Sequence, residues 1–144
     1  MIDIKEIRKG NLLISKKHWL YCIAFRIDCT TIGSNFITYL CKKVFDEDRD
    51  KEFNPIKITE DLLLQLGFQK EVDEISKEVF YMYLPNGFRI DINKYSNTIG
   101  RDYGIHIDNS CCDSVLSGDI QYLHQLQNYI YDATKRELNI ENIL

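Results

Sequence analysis

The residues from Asp119 to Leu138 read as a single amphipathic helix, and that element dictates much of what the rest of the chain must supply. At about 100° per residue, Ile120, Leu123, Leu126, Ile130, Ala133 and Leu138 fall on one arc. Gln121, Gln125, Asn128, Asp132 and Lys135 fall opposite, as solvated positions. An apolar stripe of this length needs a cover, so a surface helix docked on a sheet is expected, capped by Ser117 or Asp119. Gln127 lies inside the apolar arc, and His124 and Tyr131 gather at its margin, because residues three and seven apart stack along a helix face. A buried amide left without partners costs about 1–3 kcal/mol. Two readings of Gln127 follow: a clamp on a backbone segment, or one of three polar groups, with His124 and Tyr131, lining a ligand cleft.

The strands that such a helix needs are visible upstream. Leu12-Leu13-Ile14 follows a Lys9-Gly10-Asn11 turn signal, and the run from Trp19 to Ile27 alternates Tyr21, Ile23, Phe25 and Ile27, the large apolar face expected to point into a core, with Leu20, Cys22, Ala24 and Arg26. Asn35 to Phe45 is rich in β-branched and aromatic residues after the Ile32-Gly33-Ser34 turn signal. Asp46 to Glu52 is a run of alternating charge that reads as a solvated linker. Its Asp46, Asp48 and Asp50 open like a calcium loop, but Lys51 and Lys57 stand where such a loop needs Gly and a bidentate Glu. Past Pro55, Thr59 caps a short helix with Glu60 and Asp61 in its first turn, and Gly67 is placed to end it. Gln69 to Glu78 reads as an acidic loop. Val79–Leu84 and Phe88–Ile92 flank Pro85-Asn86-Gly87, a strong hairpin signal. Tyr103–Ile107 reads as a third strand, and Asp108 to Gly118 as a loop leading into the final helix.

The fold expected is therefore α+β. Residues 1–54 form a β-rich N-terminal subdomain with a short-stranded, antiparallel, small barrel-like segment. Residues 55–144 form an α-β-β-β-α subdomain, with a helix, a hairpin plus a third strand, and the C-terminal amphipathic helix packed on the sheet; the two can also form one compact domain. A chain of 144 residues, 44% of them hydrophobic, is long enough to bury such a core. Its formal charge of −4 argues against a dedicated nucleic-acid binder. No stretch approaches the roughly 18 apolar residues of a membrane span, and the first ten residues carry no signal-peptide apolar region, so a cytoplasmic protein is expected. Cys22, Cys29, Cys41, Cys111 and Cys112 are odd in number and irregular in spacing, which fits reduced thiols. A soft-metal site of Cys111 and Cys112 with His106 or His124 is the alternative reading of that vicinal pair, but no metal or cofactor is expected.

Ile58-Thr-Glu-Asp-Leu-Leu-Leu-Gln-Leu-Gly-Phe68, the Tyr-rich hairpin and the closing His124-Gln-Leu-Gln-Asn128 together resemble a family of small proteins from Bacteroidetes genomes, phages and mobile elements. Ile7-Arg-Lys-Gly-Asn-Leu12 resembles that family's N-terminal start, whereas the insert from Cys29 to Glu52 departs from its pattern. The family has no established activity, so no catalytic residue carries over. The resemblance implies a small accessory protein of phage or mobile-element type, acting in the cytoplasm of a bacterial host.

Three functions are then in competition. A non-catalytic binding protein would use Tyr81, Tyr83, Arg89, Arg101, Tyr103 and His106, with His124, Gln127 and Tyr131, to hold a host protein or a small anionic, nucleotide-like ligand. Rings stack on bases and arginines pair with phosphates. In a phage setting this becomes counter-defence, by masking a bacterial immune protein or sequestering a nucleotide signal. A hydrolase would combine His106 or His124 with Asp91, Asp102 or Asp108. A homo-oligomeric structural protein would use exposed tyrosine edges. The first is the reading taken forward.

Overall fold

A computed structural model describes residues 6–15, 21–29, 35–41, 47–50, 53–72, 74, 77–95, 102–109 and 112–143, with backbone alone from residue 15 to 53, at 86 and from 112 to 115. Its contacts fall into two units. The first holds the residues up to Lys57 together with Tyr122–Asn128, and the second holds Ile58–Gln121 and Tyr129–Ile143. The chain is mixed α+β, and all strand pairings described are antiparallel. Among the described residues no helix is long and apolar enough to cross a membrane.

The first unit contains β1 (Leu12–Ser15), β2 (Tyr21–Cys29), β3 (Asn35–Cys41), β4 (Glu47–Asp50) and β5 (Phe53–Asn54), ordered β4-β3-β2-β1-β5. Among the described residues the barrel-like closure expected from the sequence is not formed. Closing a barrel requires the outer strands to pair along their length, and here β4 and the two-residue β5 remain as separate edges. A register shift between Ala24 and Arg26 marks a bulge in β2. The charged stretch expected as a linker instead supplies β4, whose residues Glu47 to Asp50 pair with Leu40 to Ile37. Charge alternation is compatible with an edge strand as well as with a loop, since charged side chains protect an edge from further pairing. The inward face expected of Tyr21, Ile23, Phe25 and Ile27 concerns side chains outside the described residues. Leu12 and Leu13 of β1 are fully buried.

The second unit begins with α1 (Glu60–Gln65). Thr59 Oγ1 accepts from Leu62 N at 3.2 Å, and Glu60 and Asp61 sit against the positive end of the helix dipole. At the other end Phe68 N donates to Leu63 O and Gly67 N to Leu64 O, the paired bonds of a Schellman cap. Gly67 has a φ of 98°, the left-handed conformation that this cap requires.

Five strands follow: β6 (Gln69–Val72), β7 (Glu78–Tyr83), β8 (Phe88–Lys94), β9 (Tyr103–Asn109) and β10 (Cys112–Ile120), ordered β10-β9-β8-β7-β6. The β7–β8 hairpin matches expectation, closed by a 3-10 turn over Pro85–Gly87 with Tyr83 opposite Arg89. Two strands are additions to the three expected. The acidic segment after Phe68 forms β6, an edge strand whose four residues are all exposed, so it carries no apolar alternation to betray it. The segment expected as a loop before the final helix is β10, where Ser117, Gly118 and Asp119 pair with His106, Ile105 and Gly104. Those residues favour turns in isolation, but long-range pairing overrides so local a preference. At Gly118 the missing side chain admits a ring: an added Cβ would stand 2.7 Å from Tyr129 Cζ.

Because Asp119 and Ile120 belong to β10, the final helix is shorter than expected. α2 spans Leu123–Thr134, and neither Ser117 nor Asp119 caps it. Instead Gln125 Oε1 reaches back to accept from Tyr122 N at 3.1 Å, as the third residue of a capping box does. Leu123 N donates to Ile56 O at 2.8 Å, and Lys57 and Tyr122 form an isolated antiparallel bridge. Leu123, Leu126 and Ile130 of the expected arc are buried. Lys135, with a φ of 58°, ends the helix in the left-handed region.

Candidate functional site

Strand residues alternate between the two faces of a sheet, and in the second unit this alternation separates two chemistries. Phe80 of β7, Ile90 and Ile92 of β8, Ile105 and Ile107 of β9 and Ile120 of β10 are at most 2% exposed. The intervening positions carry Val79, Tyr81 and Tyr83, then Arg89, Asp91 and Asn93, then Gly104, His106 and Asp108, all on the opposite, open face. One cross-strand row runs Gln69, Tyr81, Asp91, His106, Ser117 through all five strands, and a second aligns Tyr83, Arg89 and Asp108.

Arg89 organises this face. Its Nε donates to Asp91 Oδ1 at 2.8 Å and its Nη1 to Tyr83 Oη at 3.0 Å, while Nη2 lies 3.8 Å from Glu71 Oε2. The guanidinium carbon stands 4.8 Å from the Tyr81 ring centre and 5.4 Å from that of Tyr83. The two rings meet edge to face at 5.9 Å, and Tyr81 Oη donates to Gln69 Oε1 at 2.7 Å. The hydrogen bond to Asp91, above all, holds the guanidinium above its usual pKa. Glu71, Val79, Arg89, Asp91, Asn93 and His106 together line an open hollow of about 350 Å³. His106 Nε2 lies 2.8 Å from Asp108 Oδ1. At the far side Tyr95 folds over Gly104, where an added Cβ would stand 2.8 Å from Tyr95 Cζ, and its hydroxyl lies 3.3 Å from Asp119 Oδ1.

Of the nine residues singled out in the sequence, the structure gathers Tyr81, Tyr83, Arg89 and His106 on this face. Tyr103 belongs to the same sheet but points to its buried side, where it is 5% exposed. Burial, followed by the nearby charge of Glu60, pushes its hydroxyl pKa up. Arg101 lies outside the described residues, as does Cys111 of the vicinal pair. Tyr131 is half-buried in α2, with Lys135 Nζ 5.6 Å from its ring centre. Asp91, named in the sequence for the hydrolase reading, lies on the same face, and Glu71 and Asn93 are additions there. The alternation of β8 could have found Asn93, but Glu71 required recognising β6 as a strand. Among the described residues no group of three or more His, Cys, Asp or Glu is placed to hold a metal ion.

His124 and Gln127 fall in the first unit, and each has only 1% exposure. Gln127 Oε1 accepts from Leu12 N at 2.9 Å and its Nε2 donates to Gly10 O at 3.1 Å. These two backbone groups flank Asn11, so the side-chain amide bonds as the peptide of a neighbouring strand would. Asn128, expected on the solvated arc, instead completes the clamp. Its Nδ2 donates to Glu6 O at 2.6 Å, and its Oδ1 accepts from Asn11 Nδ2 at 3.0 Å and Arg8 Nε at 3.3 Å. Asn11 Oδ1 in turn accepts from Arg8 N at 2.6 Å, and Gly10, with a φ of 95°, turns the chain there. His124 Nε2 stands 3.3 Å from Glu6 Oε2, its ring stacks on Tyr122 at 5.8 Å, and its Nδ1 has no hydrogen-bond partner among the described residues.

No family model matches the chain, and no curated protein or solved structure does.

Two expected outcomes follow from the clamp. Gln127→Leu leaves Leu12 N and Gly10 O without their partner, so urea denaturation should show a loss of about 1–3 kcal/mol; an unchanged midpoint would contradict the clamp. At His124, burial lowers the pKa more than Glu6 raises it. The unfolded chain therefore binds the proton more readily, and the stabilising contribution is complete above the ordinary value near 6.5 and lost as pH falls through the depressed folded one. Stability of the native protein relative to His124→Gln, followed by denaturation between about pH 7.5 and 5, should fall with acidification. A relative rise would mean that Glu6 dominates.

Proposed function

We propose that this chain is a non-catalytic binding protein whose contact surface is the open face of the C-terminal sheet. The observation that carries the reading is the convergence of Tyr81, Tyr83, Arg89 and His106 on one sheet face, where Arg89 stacks on both rings and, with His106, helps line a hollow of about 350 Å³. Tyrosine supplies a large contact area at low entropic cost and arginine a planar fork of directional donors, and both are enriched at the energetic centres of interfaces. Between the two partner classes expected from the sequence, the geometry favours a protein. A phosphate or nucleotide would need the Arg89 guanidinium, but Asp91, Tyr83 and Glu71 already surround it. The phage or mobile-element setting, and with it a counter-defence role of masking a host immune protein, rests on the resemblance in the Leu-Gly-Phe helix and the final helix.

The His106–Asp108 pair at 2.8 Å gives the hydrolase reading one specific support, since a carboxylate beside an imidazole is the orienting half of a general-base pair. One experiment separates the two. Native mass spectrometry of the protein isolated from its host should show a retained protein partner that is lost from the Tyr81→Ser/Tyr83→Ser variant and kept by Asp132→Lys on the exposed side of α2. Retention that ignores the tyrosines would refute the binding face, and turnover of a nucleotide or peptide abolished by His106→Ala would establish an enzyme instead.

A further inference from the structure

We infer that the open sheet face is built to take a cationic, arginine-bearing segment of the partner protein. This rests on the binding-face reading and adds the chemistry of what docks there. Two independent observations support it, one of charge and one of geometry.

The charge balance comes first. At open-face positions of the described residues stand the carboxylates of Glu71, Asp91, Asp108 and Asp119, against the single guanidinium of Arg89 and the imidazole of His106. Arg89 draws mainly on Asp91, and the 3.8 Å separation from Glu71 is at the margin of an ion pair. The Glu71 and Asp108 side chains are 58% and 41% exposed, so their negative field reaches solvent on either side of the hollow. Such a field steers positive surfaces toward the face and repels negative ones.

The second observation is that the face already holds one guanidinium. Arg89 lies against the Tyr81 and Tyr83 rings with a carboxylate on its Nε edge and a phenol oxygen on Nη1. Aromatic faces together with planar carboxylates are the two surfaces that a guanidinium recognises, by cation–π stacking and by paired N–H···O bonds. The Tyr83 ring, 67% exposed, keeps most of its surface outside this internal cage. Carboxylates, an exposed ring and a hollow lined by Glu71, Asp91 and His106 therefore repeat, for an incoming arginine, the environment that the chain gives its own.

The test titrates the isotope-labelled 144-residue chain at low ionic strength with a synthetic arginine-glycine-serine peptide, its lysine and glutamate counterparts, and inorganic pyrophosphate. The arginine peptide should move the NMR signals of Tyr81, Tyr83, Arg89, Asp91 and His106 and bind more tightly than the lysine peptide. Glu71→Lys/Asp108→Lys should weaken it by about tenfold, while Asp132→Lys on the exposed side of α2 leaves it unchanged. If the charge reversal disturbs folding, Glu71→Gln/Asp108→Asn should give the same change in smaller measure. Absence of shifts on the face, indifference to the charge variants, or displacement of the same signals by pyrophosphate would overturn the inference. A partner retained through Tyr81 and Tyr83 but not displaced by the arginine peptide would refute the cationic segment alone. A partner indifferent to those tyrosines would refute the binding face itself.

Discussion

A β-strand presents its side chains alternately to two sides, and in the C-terminal sheet this period of two decides where chemistry can reside. Ile90, Ile92, Ile105 and Ile107 commit one side to the core, and the same backbone then forces Arg89, Asp91, His106 and Asp108 onto the other. Register does the rest. With Tyr81 opposite Asp91 and Tyr83 opposite Arg89, the guanidinium meets both rings across the neighbouring strand β7, while its bond to Asp91 runs along β8 and Glu71 approaches it from β6. A slip of one residue would move all of these groups into the apolar layer, so the apolar pattern that stabilises the unit also fixes the composition of its exposed face.

The first unit meets a different constraint. β5 is only two residues long and pairs with Ile14 and Ser15, so among the described residues β1 has no strand beside it at Leu12 on that edge. Buried backbone groups require partners, and α2 provides them through side chains: Gln127 serves Gly10 O and Leu12 N, and Asn128 serves Glu6 O while accepting from the Asn11 side chain. The polar residues in this helix thus complete a sheet edge. That accounts for an amide on an apolar arc without invoking a ligand, and it leaves His124, whose Nδ1 alone lacks a partner among the described residues, as a proton-linked element of the same clamp.

Much of the fold was legible in the sequence wherever local signals agree with long-range ones. Thr59, Glu60 and Gly67 mark both ends of α1, Pro85-Asn86-Gly87 marks the hairpin, and the alternation of Phe88 to Ile92 identifies the wet and dry sides of β8. The failures have a common physical origin. β4 is an edge strand of charged residues, β6 is an edge strand with Val72 as its one apolar residue, and β10 contains Ser117, Gly118 and Asp119, so their strand character comes from pairing partners outside each segment. Missing β10 displaced the expected start of α2 and hid the role of Tyr122 and Gln125 at its cap. The candidate face was only half legible for the same reason: Tyr81, Tyr83, Arg89 and His106 stood out as residue types, but Tyr103 differs from them solely in the parity of its position on β9, and Glu71 joins them only through β6.

The central claim is that the open face of the C-terminal sheet is where this chain meets its partner. Hydroxyl-radical footprinting of the chain, alone and in its native complex, tests this most directly, because oxidation of tyrosine and histidine side chains reports their solvent contact. Protection of Tyr81, Tyr83 and His106 in the complex, with Tyr131 unchanged, is the result that the account requires. Equal oxidation of Tyr81 and Tyr83 in both states, with protection elsewhere on the chain, would contradict it.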